Sequence, residues 1–256
     1  MNPRSIVLSG ASRGIGAALA RHLAAPGTAM ALIGRDETGL EQTASACRKR
    51  GADATAIAVD IRDRDAMRER LLAFDAAHPV TLAVANAGVA LPTGDDETVE
   101  RASYGEIDTN LVGGLNTVLP LVPAMRARGA GQIAFVSSIA AFAPLPDSPG
   151  YSASKAALLV YGLAMRERLR SSGVRVNVAC PGFVETDMGS RYRGWRPLEI
   201  SADEAAKRIV RGLERDRPVI SFPRSLALVA QLSTLVPEPI KRLGLTGFRF
   251  SINDRP

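Results

Sequence analysis

The segment SPGYSASKAA, residues 148–157, places a lysine four positions after a tyrosine. Side chains four residues apart share one face of a helix, so the Tyr151 phenol and the Lys155 ammonium group are expected to lie side by side. A phenol with a pKa of about 10 is a poor acid or base at neutral pH, but a nearby ammonium ion favours the phenolate and lowers that pKa. The pair therefore fits a proton donor with its activating cation. The same spacing also fits an exposed Tyr–Lys pair without a function.

A glycine-rich turn follows the first apolar run of the chain. In SIVLSGASRGIGAALARHLA, Gly10, Gly14 and Gly16 have the spacing GxxxGxG between a predicted strand and a predicted helix. Glycine permits a tight turn and a close approach of the backbone to a pyrophosphate, and the free N–H groups of a helix start bind that anion. Loops are often rich in glycine, so the triplet alone says little. Its position between strand and helix indicates a dinucleotide site.

Two arginines and an aspartate bear on the choice of dinucleotide. Arg13 lies in the glycine turn, and Arg35 follows the second predicted strand, where the adenosine ribose would lie. Arginine pairs with the 2′-phosphate of NADP, whereas a carboxylate accepts a hydrogen bond from the ribose of NAD. Asp36 lies about 20 residues past the glycines, as expected of the NAD-type acid. We interpret Asp36 instead as the N-cap of the next helix, which favours NADP and leaves NAD as the alternative.

Short apolar runs alternate with longer helical patterns along the chain. The predicted strands are SIVLSG, AMALIG, ATAIAVD, VTLAVAN, GQIAFVSS, VRVNVAC and RPVISF. Helical patterns cover 15–36, 36–50, 62–78, 98–128 and 150–172, and Ser201 with Glu204 forms a capping box for one more helix. Because most strands are apolar throughout, both faces of the sheet should be buried. The prediction is an α/β fold: one Rossmann-like domain with a doubly wound parallel sheet of about seven strands and helices on both faces.

Composition limits the function classes that the chain can belong to. Its 256 residues are 46% apolar and 23% charged, as in a soluble globular protein, and no apolar run is long enough to span a bilayer. The first residues enter a predicted strand directly, which leaves no room for a signal peptide and predicts a cytoplasmic location. Neither the two cysteines nor the two histidines cluster, so no metal site is expected. The net charge of +6 contains no run of like charges, which favours a solvated basic surface over nucleic-acid binding.

From residue 4 to about 188 the chain resembles the compact form of the short-chain dehydrogenase/reductase family. SGASRGIG is similar to the family's TGxxxGxG, with Ser9 in place of threonine, and ANAG (85–88) is similar to NNAG. Ala85 replaces the first asparagine of that motif, which we expect to cost about 1 kcal/mol of stability. PGFVET (181–186) resembles the segment that lies along the nicotinamide. Asn110, Ser138, Tyr151 and Lys155 match the family's four catalytic residues.

The resemblance implies an NAD(P)-dependent oxidoreductase that interconverts a carbonyl and a secondary alcohol by hydride transfer. Tyr151 would exchange a proton with the substrate oxygen, and Ser138 would hydrogen-bond that oxygen. Lys155 would lower the pKa of Tyr151 and hold the nicotinamide ribose, while Asn110 would position a water that joins Lys155 to solvent. The expected cofactor contacts are Gly10, Ser12, Arg13, Gly14, Ile15, Gly16, Arg35, Asp60, Ile61, Asn86, Ala87, Gly88, Tyr151, Lys155, Pro181, Gly182, Val184 and Thr186. A non-catalytic dinucleotide-binding regulator on the same fold is the alternative.

The resemblance further implies a homodimer or homotetramer, formed through the helix that carries Tyr151. The apolar residues of that helix that allow such an interface are Leu158, Tyr161, Gly162 and Met165.

Substrate contacts are expected from 91–97, 144–150 and 187–200, and the last of these resembles a mobile lid. The lid holds Trp195 among arginines, so it either meets an acidic or phosphorylated substrate or packs its tryptophan on the domain. We divide the chain into a catalytic domain, 1–222, and a helical extension, 223–256. An apolar stripe in that extension, Leu226, Val229, Leu232 and Leu235, predicts packing on the domain or on a partner subunit, with peripheral membrane contact as the less favoured alternative.

Overall fold

The computed structural model describes residues 5–94, 96–143, 145–193, 195–233 and 251–252. The strands in these ranges are β1 (Ser5–Ser9), β2 (Ala29–Gly34), β3 (Asp53–Ala58), β4 (Leu82–Ala85), β5 (Gly131–Val136), β6 (Val174–Pro181), β7 (Val184–Glu185), β8 (Tyr192–Arg193), β9 (Ile200–Ser201), β10 (Val219–Phe222) and β11 (Ser251–Ile252). Seven of them form a parallel sheet in the order β3-β2-β1-β4-β5-β6-β10. The predicted strands are therefore confirmed, and the two-residue strands β7, β8, β9 and β11 are additions that lie outside this sheet.

The sheet is buried on both faces, as its apolar strands predict. Ile6, Val7 and Leu8 of β1 are all fully buried, although successive side chains of a strand point to opposite faces. Ile6 and Leu8 belong to a core cluster on one face of the sheet, and Val7 belongs to the cluster on the other. The predicted α/β fold, Rossmann-like and doubly wound with helices on both faces, is confirmed.

The helices cover both faces of this sheet. They are α1 (Gly14–Leu23), α2 (Glu37–Arg48), α3 (Arg64–Ala77), α4 (Asp96–Glu106), α5 (Gly113–Val118), α6 (Val122–Ala127), α7 (Pro149–Leu169), α8 (Asp187–Ser190), α9 (Ala202–Glu214) and α10 (Arg224–Ser233). Side-chain caps begin several of them: Asp36 caps α2, Asp63 caps α3 and Ser201 caps α9. The predicted roles of Asp36 and Ser201 as N-caps are thus confirmed.

Two of the predicted helical segments have different bounds. The pattern at 15–36 ends as a helix at Leu23, because Pro26 and Gly27, which has a φ of +78°, turn the chain into β2. The pattern at 98–128 is divided into α4, a π-helical turn (Ile107–Val112), α5, a 3-10 turn (Leu119–Leu121) and α6. Pro120 and Pro123 lack backbone N–H donors, so a continuous helix cannot pass through them.

Helix α7, which carries Tyr151 and Lys155, packs on the sheet through two residues that the sequence analysis assigned to a subunit interface. Leu158 is 1% exposed, and a Cβ at Gly162 would lie 2.4 Å from Cγ2 of Val178 in β6. These two residues therefore belong to the core, and the exposed apolar side chains of the helix are Val160 and Leu163.

The C-terminal extension contributes one described helix, α10, which contacts β10 and the 3-10 turn at Ile139–Ala141. Part of the predicted apolar stripe lies on this helix, whereas Leu235 lies outside the described residues. Within the described ranges, no helix combines the length and the apolar character needed to cross a bilayer.

Candidate active site

A cavity of about 1230 Å³ opens at the carboxyl ends of β1, β4, β5 and β6. Parallel sheets of this topology place their ligand sites at that edge. Every residue that we predicted to contact a cofactor lines this cavity, and so does Ser138. The described part of the chain thus brings the glycine turn and the Tyr151–Lys155 pair to one site, although they are far apart in the sequence.

The glycine turn forms one end of the cavity and is tied to the loop after β4. Gly10 has a φ of +67°, and a Cβ at Gly16 would lie 2.0 Å from the carbonyl oxygen of Gly10, so neither position accepts a larger residue without a shift of the backbone. Asn86 Nδ2 donates to the carbonyl oxygens of Ser9 and Gly10, each at 3.1 Å. Ser9 Oγ accepts the N–H groups of Asn86 and Ala87, at 3.2 and 3.3 Å. The hydroxyl kept at Ser9 therefore holds the two loops together.

The glycine turn and the ends of β2 and β3 place three arginines and two aspartates around the ribose end of the cavity. Arg13 is exposed and lies 3.5 Å from the carboxylate of Asp187. Asp36 Oδ1 accepts the N–H group of Gly39 at 3.0 Å, so this carboxylate is engaged as a helix cap. Arg35 is exposed, with its Nη1 4.0 Å from Asp60 Oδ2.

Arg62 is a residue of this region that the sequence analysis missed. Its guanidinium group contacts both carboxylate oxygens of Asp60, with Nη2 2.6 Å from Oδ2, and this contact lowers the pKa of Asp60. Arg62 also lines the cavity. In the sequence, the only indication of this contact is that Arg62 lies two residues after Asp60. Many surface arginines lie equally close to an acidic residue, so this spacing does not single out Arg62.

Asn110 lies beneath the cavity rather than in its wall. It is fully buried in the π-helical turn at Ile107–Val112, an irregularity that often occurs at functional sites. Its Oδ1 accepts the N–H group of Val89 at 2.7 Å, and its Nδ2 donates to the carbonyl oxygen of Val89 and to Ser154 Oγ, both at 3.0 Å. The Asn110 side chain thus fixes the loop after β4 to the catalytic helix.

Ser138, Tyr151 and Lys155 meet at the other end of the cavity. Ser138 caps the 3-10 turn at Ile139–Ala141, its Oγ accepts the N–H group of Ala140 at 3.1 Å, and it hydrogen-bonds the Tyr151 hydroxyl. Lys155 Nζ lies 5.6 Å from the centre of the Tyr151 ring and donates to the carbonyl oxygen of Val136 at 3.0 Å. The predicted pair is therefore buried in the site and is not an exposed surface pair.

The pKa of Tyr151 differs from the expectation. Burial raises it to about 12, although hydrogen bonds from Ser138 and Tyr192 lower it and the charge of Glu106 raises it. Burial lowers the pKa of Lys155 to about 8, so this side chain stays mostly cationic at neutral pH. Desolvation of the phenol thus outweighs the two hydrogen bonds, and the lowering of this pKa by Lys155 stays a prediction.

Glu106, the last residue of α4, is a buried acid beside the site that no motif identified. It is 0% exposed, and its Oε1 accepts the N–H group of Leu91 at 2.9 Å. Its Oε2 has no hydrogen-bond partner among the described residues. Burial raises the pKa of Glu106, while the backbone amides of Leu91 and Tyr151 lower it. An acid at this point of α4 looks like one of many solvated helix charges in the sequence, so only the structure shows its burial.

Tyr192 on β8 is a third residue, after Arg62 and Glu106, that the sequence analysis missed. It lines the cavity, packs with Tyr151, Ala90 and Ala140, and hydrogen-bonds the Tyr151 hydroxyl. The lid residue that we had singled out, Trp195, is 72% exposed and lies outside the cavity wall.

The wall of the cavity beyond Tyr151 is largely apolar and comes from separate segments. The loop before α7 contributes Leu145, the lid contributes Met188, and α10 contributes Leu226, Val229 and Ala230. Three segments were expected to contact substrate, 91–97, 144–150 and 187–200. Each of them contributes at least one residue to the cavity wall, such as Leu91, Leu145 and Met188. The role of α10 in this wall was not predicted.

Comparison with known proteins identifies the family. The family model for short chain dehydrogenases matches residues 4–197. An uncharacterized oxidoreductase of Myxococcus xanthus is 33% identical over 241 residues, which cover 94% of this chain and 95% of that protein. The ketoacyl reductase HetN of a Nostoc species is 34% identical over 186 residues, 71% of this chain and 63% of that protein. This chain therefore belongs to the short-chain dehydrogenase family, whose members are oxidoreductases of hydroxyl and keto groups.

Solved structures agree with the fold. A short-chain dehydrogenase from Sphingobium yanoikuyae in complex with NADPH has a TM-score of 0.79 and 24% identity, with 95% of each chain covered. A short-chain dehydrogenase from Mycobacterium paratuberculosis bound to NAD has a TM-score of 0.74 and 25% identity, with 85% of this chain and 94% of that chain covered. The two neighbours carry different dinucleotides, so the fold alone does not decide between them.

Proposed function

We propose that this chain is an NADP(H)-dependent oxidoreductase that interconverts a ketone and a secondary alcohol, with Tyr151 as the acid and base. The observation that carries the proposal is the single cavity with the glycine turn at one end and Ser138, Tyr151 and Lys155 at the other. When bound, the nicotinamide supplies or accepts the hydride, and the protein holds the reacting atoms in position.

In the reducing direction, Tyr151 gives its phenolic proton to the substrate oxygen while hydride adds to the carbonyl carbon. The hydroxyl of Ser138 donates to the same oxygen as negative charge develops there. The cationic Lys155 stabilises the phenolate that remains, and the network through Asn110 returns a proton from solvent. A pKa of about 12 keeps Tyr151 protonated at neutral pH, as a proton donor to the carbonyl oxygen must be.

The preference for NADP rests on the charges around the ribose end of the cavity. Arg13 and Arg35 are exposed there and lie within reach of a 2′-phosphate, and the arginine fork matches phosphate geometry. Asp36, the acid that would select NAD, is engaged by the N–H group of Gly39. The cap bond occupies Asp36 Oδ1 and competes with a ribose hydroxyl for this carboxylate.

The substrate that fits the apolar part of the cavity is a bulky, lipophilic ketone. Leu145, Met188, Leu226 and Val229 offer it apolar contacts, while the hydroxyls beside Tyr151 bind the reacting oxygen. The sequence left open an acidic substrate that would meet the basic lid. This alternative has less support, because Trp195 lies outside the cavity wall and Arg196 pairs with Glu199 at 2.9 Å.

We further propose a homodimer or homotetramer in the cytoplasm, with the catalytic domain at 1–222 and the extension at 223–256. The exposed apolar residues Val160 and Leu163 of α7 support an interface on that helix. Size-exclusion chromatography with light scattering measures the oligomeric state, and a monomer at micromolar concentration would contradict this part.

The function is tested by the oxidation of NADPH with a panel of carbonyl compounds. The panel contrasts trans-1-decalone, a 3-ketosteroid and a 3-oxoacyl thioester with pyruvate and a ketose. We expect turnover with the lipophilic ketones at a kcat/KM at least about tenfold higher than with the polar compounds, as apolar contacts supply discrimination of this size. Binding of NADPH without turnover of any carbonyl would instead favour the dinucleotide-binding regulator.

A further inference from the structure

We propose that Tyr192 is a catalytic residue of this enzyme, carried by the lid, and that its hydroxyl stabilises the Tyr151 phenolate. This inference rests on the proposed function, since it concerns the proton step assigned to Tyr151. It adds a second phenol to a reaction centre for which the sequence predicted one.

The path of the chain brings Tyr192 to the site. The chain leaves β6, forms the short helix α8 and then runs into β8, which pairs antiparallel with β11 near the C-terminus. Tyr192 stands opposite Ile252 in that pair. Its ring packs in a small apolar cluster with Tyr151, Leu145 and Met188. A side chain held by both backbone pairing and ring packing has a defined place beside the reacting phenol.

Other contacts connect the lid to both ends of the cavity. Thr186 Oγ1 caps α8 by accepting the N–H group of Gly189 at 3.0 Å. Asp187, the first residue of α8, lies 3.5 Å from Arg13 in the glycine turn. The lid therefore touches the cofactor end through Asp187 and the reaction centre through Tyr192, so one segment contributes residues to both ends of the cavity.

The two phenols have a fixed order of donor and acceptor. Burial raises the pKa of Tyr192 well above 10, and its neighbours Tyr151 and Glu106 add to that effect, so Tyr192 keeps its proton at neutral pH. The hydrogen bond between the two phenols lowers the pKa of Tyr151, as the bond with Ser138 does. When Tyr151 has lost its proton, Tyr192 is the one of the two phenols that still carries a proton, so it is the donor to the phenolate.

The phenolate left after proton transfer receives two O–H donors. Ser138, at the end of β5, provides one from the sheet, and Tyr192 provides the other from the lid. Among the described residues, the other titratable groups near the two phenols are Glu106 from α4, Lys155 from α7 and Arg191 from the lid. Tyr192 hydrogen-bonds the Tyr151 hydroxyl, whereas Glu106 is bonded by the Tyr151 backbone amide.

The test compares Tyr192→Phe with wild type in the oxidation of a secondary alcohol by NADP⁺ across a range of pH. Phenylalanine keeps the ring and removes only the donor. We expect kcat to fall about tenfold, as for the loss of one hydrogen bond, and the pH at which kcat/KM rises to move to a higher value. The dissociation constant of NADPH and the melting temperature should stay close to those of wild type. Tyr104→Phe, at a tyrosine that is 66% exposed on α4, is the matched control.

Several outcomes overturn the inference. An unchanged kcat with an unchanged pH profile means that the Tyr192 hydroxyl does not act on Tyr151. A higher KM with neither change means that the residue only packs against substrate. Tyr151→Phe separates this inference from the proposed function: an active Tyr151→Phe variant contradicts the function itself. An inactive Tyr151→Phe variant together with a wild-type-like Tyr192→Phe variant contradicts only the role of Tyr192.

Discussion

Three ionisable residues at the reaction centre, Glu106, Tyr151 and Lys155, are all nearly or fully buried. Burial disfavours the charged form of each, which raises the pKa of the acid and of the phenol and lowers the pKa of the amine. The spacing of Tyr151 and Lys155 indicated the pair, but it could not show that both groups are desolvated. Glu106, which does not belong to the pair, adds a negative charge beside the phenol.

The buried carboxyl group of Glu106 predicts a pH dependence of stability. Its pKa is raised above the ordinary value of 4.5, so its contribution to stability is full below that pH and is lost as pH rises through the folded pKa. The free energy of unfolding of wild type, relative to Glu106→Gln, should therefore fall between pH 4.5 and neutral pH. Urea denaturation of both proteins at several pH values measures the difference. Glu100→Gln, at an exposed position of α4, should show no such trend.

The result that would contradict the assignment is a difference between wild type and Glu106→Gln that stays constant or grows with pH. In that case the carboxyl group would ionise in the folded protein as it does in the unfolded chain.

The proposed preference for NADP can be tested at Arg35. Removal of its guanidinium group in Arg35→Ala should raise the KM for NADPH about tenfold or more, because a hydrogen bond to a charged group is lost. The KM for NADH should change little, since NADH has no 2′-phosphate. Initial rates with both cofactors give the comparison, with Arg70→Ala on the exposed face of α3 as the control. Equal losses with NADPH and NADH would contradict the preference for NADP.

At the scale of elements, the apolar runs and the caps were predictable because they depend on local sequence. Asp36 begins α2 as its position indicated, and the strands of the sheet begin and end close to the predicted positions. The π-helical turn at Ile107–Val112 was not predictable, since its residues also fit an ordinary helix. The same holds for α10, because Val229 and Leu232 of its apolar stripe are exposed and the stripe did not indicate the cavity as its neighbour.

The place of α10 in the cavity wall leads to a prediction on substrate binding. Val229 lines the cavity although it is 63% exposed, so Val229→Asp should fold normally and put a charge where a lipophilic ketone binds. We expect its kcat/KM for trans-1-decalone to fall about tenfold, mainly through KM. Leu228→Asp on the same helix is the control, because Leu228 is similarly exposed, at 55%, and does not line the cavity.

Equal losses in Val229→Asp and Leu228→Asp would contradict a specific role of α10 in the wall. A kcat/KM close to wild type in both variants would show that the substrate does not reach the helix.

At the scale of the whole molecule, the sequence was sufficient to predict the sheet and the expected cofactor contacts that line the cavity. The glycine turn, Ser138, Tyr151 and Lys155 follow strand ends or lie on one helix, so their meeting follows from the fold. Tyr192 could not be predicted in this way, because its position depends on the path of the lid and on pairing between β8 and β11. Long-range contacts of irregular segments carry no periodic signal.

The central claim is that Tyr151 transfers the proton in an intact, cofactor-binding site. The most direct measurement is the rate at which Tyr151→Phe reduces the best ketone of the panel, taken together with its NADPH affinity and its melting temperature. We predict affinity and melting temperature close to wild type, and a kcat lower by at least about 100-fold, as for the loss of a general acid. A kcat within tenfold of wild type would contradict the account.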